Sequence, residues 1–188
     1  MSVEGPESWS GWAGRTVEVP AGSASRPTLL EVRGGLTSSF RFYRAAGGRS
    51  TGDTLVTTVR GRRMRVVLPA DSSGFAVERI TVRDGASGFQ RWHARIIGAE
   101  ALPALTAKER EGKFTETYGY FQPKRYYEDT RVLRYAFESQ GSVTYHLATG
   151  GRPVEIPHYP PRPKGTLPLP HHGYITISSP DPWRVSLV

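Results

Sequence analysis

The chain has 188 residues with 37% hydrophobic and 22% charged side chains, a globular composition rather than a disordered one. Its 25 Lys+Arg against 17 Asp+Glu leave a net charge of +8, and it contains no cysteine, which excludes disulfides, thiolate zinc sites and cysteine nucleophiles. Twenty-one Gly, 15 Pro and short runs rich in Val, Ile, Thr and aromatics, with little helical periodicity, predict an all-β chain with many turns.

Residues 1–14, MSVEGPESWSGWAG, have neither the basic start nor the apolar core of a signal peptide and are expected to be a flexible N-terminal segment. Trp9 and Trp12 are unusual on a free tail and suggest docking on module one or on a partner. No run of 18 apolar residues spans a bilayer, so the expected location is the cytoplasm, or a virion or phage-like particle.

From residue 15 onward the chain repeats itself. Leu30, Val32, Phe40 and Phe42 recur 103 residues later as Leu133, Tyr135, Val143 and Tyr145. Val66-Val67-Leu68-Pro69 matches Leu167-Pro168-Leu169-Pro170, and Ile80-Thr81-Val82 is aligned with Ile175-Thr176-Ile177. Trp92 and Trp183 each open a last apolar alternation. The shared order predicts two homologous antiparallel β-sandwich modules in tandem, at 15–97 and 113–188, joined by a linker at 98–112. Alternation sends Leu30/Val32, Phe40/Phe42, Ile80/Val82 and Trp92/Ala94/Ile96 inward. Pro69 and Pro170 should end strands by removing a ladder donor. Within the linker, Leu105–Glu111 has the length for one or two helical turns, marginal without packing.

Module one carries 14 Arg and no Lys against 6 acidic residues, a balance of +8. Four of these, Arg60, Arg62, Arg63 and Arg65, cluster at a turn entering a strand, with Arg63 and Arg65 on one face and Met64 and Val66 turned inward. Guanidinium forks suit phosphate or carboxylate, so the cluster is a candidate binding surface for a protein or another anionic partner. The plainer alternative is a solvated strand face, since no interleaved aromatic platform accompanies the cluster.

Module two holds eight of the nine Tyr. Tyr118, Tyr120, Tyr126 and Tyr127 in TETYGYFQPKRYYED, with Tyr159 beyond, are candidates for a protein interface or for stacking on sugars. Residues 153–170 contain seven Pro and cannot form central strands; they are expected to cross the module in extended, partly polyproline form.

His171 and His172 are weak metal candidates, because adjacent side chains converge only in a turn and no third ligand is visible. The repeat places them in a shortened turn before the strand of Ile175. No GxSxG elbow, Walker loop or GxGxxG fingerprint occurs, and Asp71 and Asp84 lie at opposite ends of a predicted hairpin without calcium-loop spacing. No catalytic residues and no cofactor are assigned.

The stretch LLEVRGGLTSSFRFYR, with a later Trp-initiated last strand, resembles tandem small β-sandwich accessory modules found beside actinobacterial tellurium-resistance-type stress proteins. The resemblance implies a non-enzymatic assembly role, and the acidic calcium runs of the tellurium-resistance domain itself are absent here. The expected function is a non-catalytic macromolecule-binding adaptor, scaffold or structural component, working through protein partners or self-association. The alternative is a carbohydrate-binding module using exposed Tyr.

Overall fold

The computed structural model describes residues 8–11, 15–18, 26–34, 39–46, 49–57, 63–70, 74–80, 91–121, 131–150, 154–158 and 163–188. The first eight strands are β1 (Ser8–Gly11), β2 (Arg15–Glu18), β3 (Thr28–Arg33), β4 (Ser39–Ala46), β5 (Arg49–Thr57), β6 (Arg63–Leu68), β7 (Gly74–Ile80) and β8 (Trp92–Ile96). A 3-10 turn, Ala99–Ala101, follows. The second eight are β9 (Arg110–Gly112), β10 (Glu116–Tyr120), β11 (Arg131–Phe137), β12 (Gly141–Leu147), β13 (Val154–His158), β14 (Lys164–Leu169), β15 (Gly173–Ser178) and β16 (Trp183–Leu187).

These strands build two antiparallel β-sandwich modules in tandem. Module one stacks a sheet of order β1-β8-β3-β6 on one of order β2-β7-β4-β5. Module two stacks β9-β16-β11-β14 on β10-β15-β12-β13. Adding eight to every label of module one reproduces module two, so the sequence repeat is also a repeat of topology. Each sandwich closes on its own core. In module one Leu30, Val32, Phe40, Phe42, Met64, Val66, Phe75 and Trp92 meet. In module two Leu133, Tyr135, Val143, Tyr145, Leu167, Ile175, Ile177 and Trp183 meet.

Register tests the repeat residue by residue. Leu30 faces Ile96 and Val66, while Leu133 faces Leu187 and Leu167, as the self-similarity requires. One alignment is corrected. Val77 lies opposite Phe42 and Ile175 opposite Tyr145, so Val77, not Ile80, is the counterpart of Ile175. Alternation has period two and cannot set register across turns of unequal length. Thr81 and Val82 fall outside the described residues.

Two expected boundaries also move. Ser8–Gly11 belongs to the fold as edge strand β1, with Trp9 buried edge-on against Phe75. Trp12 lies outside the described residues. Arg110–Gly112 is the matching edge strand β9 of module two, not linker, and no helix forms over 105–111. The rest of the linker is pinned: the Leu105 amide donates to the Gly119 carbonyl and the Gly119 amide to Pro103, while Leu105 enters the core of module two.

The two edge strands share one device. Gly11 faces Trp92 and Gly112 faces Trp183, so in both modules an indole covers an edge glycine. A β-carbon at Gly112 would stand 2.3 Å from the Trp183 ring, and one at Gly11 3.0 Å from Trp92. The Trp183 indole N–H donates to the carbonyl of Phe114, whose φ of 70° is a left-handed conformation costly for a side chain of that size.

The Pro-rich segment supplies β13 and β14, each an edge strand of a different sheet. Pro157 and Pro168 therefore lie where a missing donor breaks no central ladder. Strands β6 and β14 end one residue before Pro69 and Pro170.

Candidate anion-binding face

The outward positions of β3, β6 and β8 are set by the inward ones. With Leu30, Val32, Met64, Val66, Trp92 and Ala94 in the core, the opposite face carries Glu31, Arg33, Arg63, Arg65, His93 and Arg95. Cross-strand register arranges them in two rows. Glu31 sits between Arg65 and Arg95, and Arg33 sits between Arg63 and His93.

Like charges directly opposite on neighbouring strands repel, so Arg33 beside Arg63 needs an anion. Glu31 supplies it. Its side chain is 1% exposed, and it accepts Arg33 Nε at 3.0 Å, Arg95 Nε at 3.2 Å and Arg63 Nε at 2.5 Å. Second contacts come from the Nη2 atoms of Arg33 at 2.9 Å and Arg95 at 3.1 Å, and from that of Arg63. Burial raises the carboxyl pKa and is the largest single influence, but hydrogen bonds from Arg63, Arg33 and Arg95 with the charge of Arg63 outweigh it and hold it below the ordinary range. One carboxylate among three guanidiniums leaves two positive charges. The three arginines are 56%, 49% and 55% exposed at Arg33, Arg63 and Arg95, so their remaining donors face solvent. A shallow pocket of about 390 Å³ lies here, lined by Ser8, Trp9, Glu31, Arg33, His93 and Arg95 among others.

Arg65 has a different fate. It is only 18% exposed, and its Nη1 donates to Glu116 of module two at 2.8 Å. Its carbonyl accepts the Thr117 hydroxyl at 2.6 Å. Strands β10 and β15 lie against β6, forming a junction in which Thr117 pairs with Thr176, and Thr115 with Ser178, both at 3.0 Å. Beside them Leu29 and Val67 of module one, Leu102 of the connection and Tyr174 of module two make a small apolar cluster. Burial pushes the Glu116 carboxyl up, outweighing the charge and hydrogen bond of Arg65 and the charge of Arg63. The expected four-arginine patch is thus divided. Arg63 joins the exposed face, Arg65 locks the modules, and Arg60 and Arg62 lie outside the described residues.

A junction tied this way should resist proteolysis. Trypsin is expected to cut Arg65→Gln/Thr117→Val at Lys108 at least about tenfold faster than the parent, since loss of a charged hydrogen bond costs about 2 kcal/mol. Equal cleavage rates would show that the Arg65–Glu116 contact does not hold the connection in place.

The tyrosine surface is corrected for the residues that are described. Tyr118 and Tyr120 are 6% and 2% exposed, and both point into the core of module two. Tyr118 meets Trp183 edge-on at 6.2 Å, and burial pushes its hydroxyl up to about 12. The Tyr120 hydroxyl donates to the Leu169 carbonyl. Alternation on β10 puts both rings inward, and the opposite face, with Thr117, is covered by module one. Tyr126, Tyr127 and Tyr159 lie outside the described residues.

His171 and His172 occupy the turn between β14 and β15, three residues long against five between β6 and β7. The Tyr145 hydroxyl donates to the His171 carbonyl, and the His172 ring meets Phe121 edge-on. Among the described residues no group of three or more His, Cys, Asp or Glu gathers in metal-binding geometry. The residues that complete the basic face, Glu31, Arg33 and Arg95, escape a motif search because they are scattered over 64 positions. The alternations EVR at 31–33 and HAR at 93–95 are their only local signal.

No family model and no curated protein matches the chain. Among solved structures, the CUB1-EGF-CUB2 domain of human MASP-1/3 aligns over 97% of this chain and 100% of that one, at 8% identity and a TM-score of 0.30. A likeness at that level assigns neither family nor function. Among the described residues no helix is long and apolar enough to cross a membrane.

Proposed function

We propose that the chain is a non-catalytic, macromolecule-binding adaptor or scaffold, a component of a protein assembly, and that the outer face of β3, β6 and β8 is its contact surface. The observation that carries this reading is the half-exposed trio Arg33, Arg63 and Arg95, held in fixed orientation by the buried Glu31. Preorganised guanidiniums lose little freedom on binding, which favours recognition. The junction with module two would present this face from one body rather than from a swinging bead, with the modules bounded near residues 8–97 and 110–188 and joined by the connection at 98–109. The carbohydrate-binding alternative loses Tyr118 and Tyr120, which are core residues.

The test is recovery of partners from host extract on the immobilised full chain at about 50 mM salt, against Arg33→Gln/Arg95→Gln. The expected result is a discrete complex retained by the parent, released by about 300 mM salt, and depleted on the variant. Equal recovery on both, or none on either, would overturn the reading.

A further inference from the structure

Resting on that reading, we infer that the partner surface taken by Arg33, Arg63 and Arg95 is an acidic polypeptide segment, bound through its Asp and Glu carboxylates. Glu31 shows what this trio already holds: one carboxylate, gripped by all three guanidiniums, with every Arg still half-exposed. Each arginine has donors beyond those directed at Glu31, and the unbalanced charge of two is matched by two further carboxylates.

Nucleic acid fits less well. Among the described residues the face exposes no Phe, Tyr or Trp ring, because Trp9 and Trp92 turn into the core, so unstacked bases find no platform. Carboxylates on alternate residues of an extended peptide repeat at about 7 Å, a spacing comparable to that of the diagonal pair Arg33 and Arg95 on neighbouring strands.

Glu31 is then a resident competitor as well as an organiser, and this yields a result that a purely structural arginine cluster would not. In fluorescence anisotropy with the full chain at low salt, a labelled ten-residue oligoglutamate is expected to bind and a matched oligoglutamine is not. Arg33→Gln/Arg95→Gln should weaken binding at least about tenfold. Arg33→Lys/Arg95→Lys keeps the charge but not the fork and should fall between. Glu31→Gln should tighten binding several-fold despite any loss of thermal stability. If the double Gln variant unfolds, Glu31→Gln/Arg33→Gln/Arg95→Gln removes the buried charge together with its partners, and its weakened binding is read instead. Failure of oligoglutamate to bind, tighter binding of a ten-nucleotide oligo-dT, or weaker binding by Glu31→Gln would each overturn the inference. Partner recovery that still depended on Arg33 and Arg95 would leave the broader reading intact.

Discussion

Gly112→Val is expected to destabilise module two by about 3 kcal/mol, the upper end of what overpacking a tight site costs. The new β-carbon would stand 2.3 Å from the Trp183 ring, and that ring cannot retreat. It is buried, edge-on to Tyr118, and tethered through its N–H to the Phe114 carbonyl. Gly11→Val should cost less, because the corresponding approach to Trp92 is 3.0 Å. Trp183→Ala is expected to cost about 4 kcal/mol through the cavity it leaves. Combining it with Gly112→Val should be clearly less than additive, since the clash disappears with the ring. Urea denaturation of the full chain, followed by the backbone amide NMR signals of each module because Trp183 is the one tryptophan of module two, reads all four variants. An additive double variant would mean that Gly112 and Trp183 do not face each other across β9 and β16.

The second large effect concerns pH. His146 lies on β12 opposite Tyr174, and burial lowers its pKa to about 4 from an ordinary value near 6.5. The folded state therefore holds a neutral imidazole that the unfolded chain protonates more readily. Its contribution is fully present above the unfolded pKa and is lost as pH falls from about 6.5 towards 4, by about 3 kcal/mol in all. Glu31, held low, adds an acid loss of the same sign only below the ordinary Glu range. Glu116, pushed up, works in the opposite direction as pH falls. The difference between the parent and His146→Gln isolates the histidine. Its stability gap should shift in favour of the variant on acidification from pH 7 to pH 4.5, and a gap independent of pH would sink the assignment of a neutral buried His146.

The strand framework was legible in the sequence because period-two alternation is a local signal. It identified Leu30/Val32, Phe40/Phe42 and Trp92/Ala94 as inward sets, and those residues make the core. It also kept the Pro-rich segment out of central positions, since a residue without an N–H donor cannot serve a ladder on both sides. Strands β1 and β9 escaped because four and three residues are too few to show a period. Their recognition needed the partner strand, where a glycine meets an indole in both modules.

The surfaces were legible only by half. Alternation placed Arg63 and Arg65 on one face of β6, and there they are. What each arginine does depends on groups 32 and 51 residues away: Glu31 on the neighbouring strand and Glu116 on the second module. The Tyr row failed for the same reason. Tyr118 and Tyr120 share a face, as the pattern requires, but β10 is covered on both sides, by its own core and by β6. Sequence by itself determined which residues share a side of a strand, because that follows from backbone geometry. Only the tertiary structure decided which side is wet and which charges meet, because burial and ion pairing arise from contacts between strands that the chain order keeps far apart.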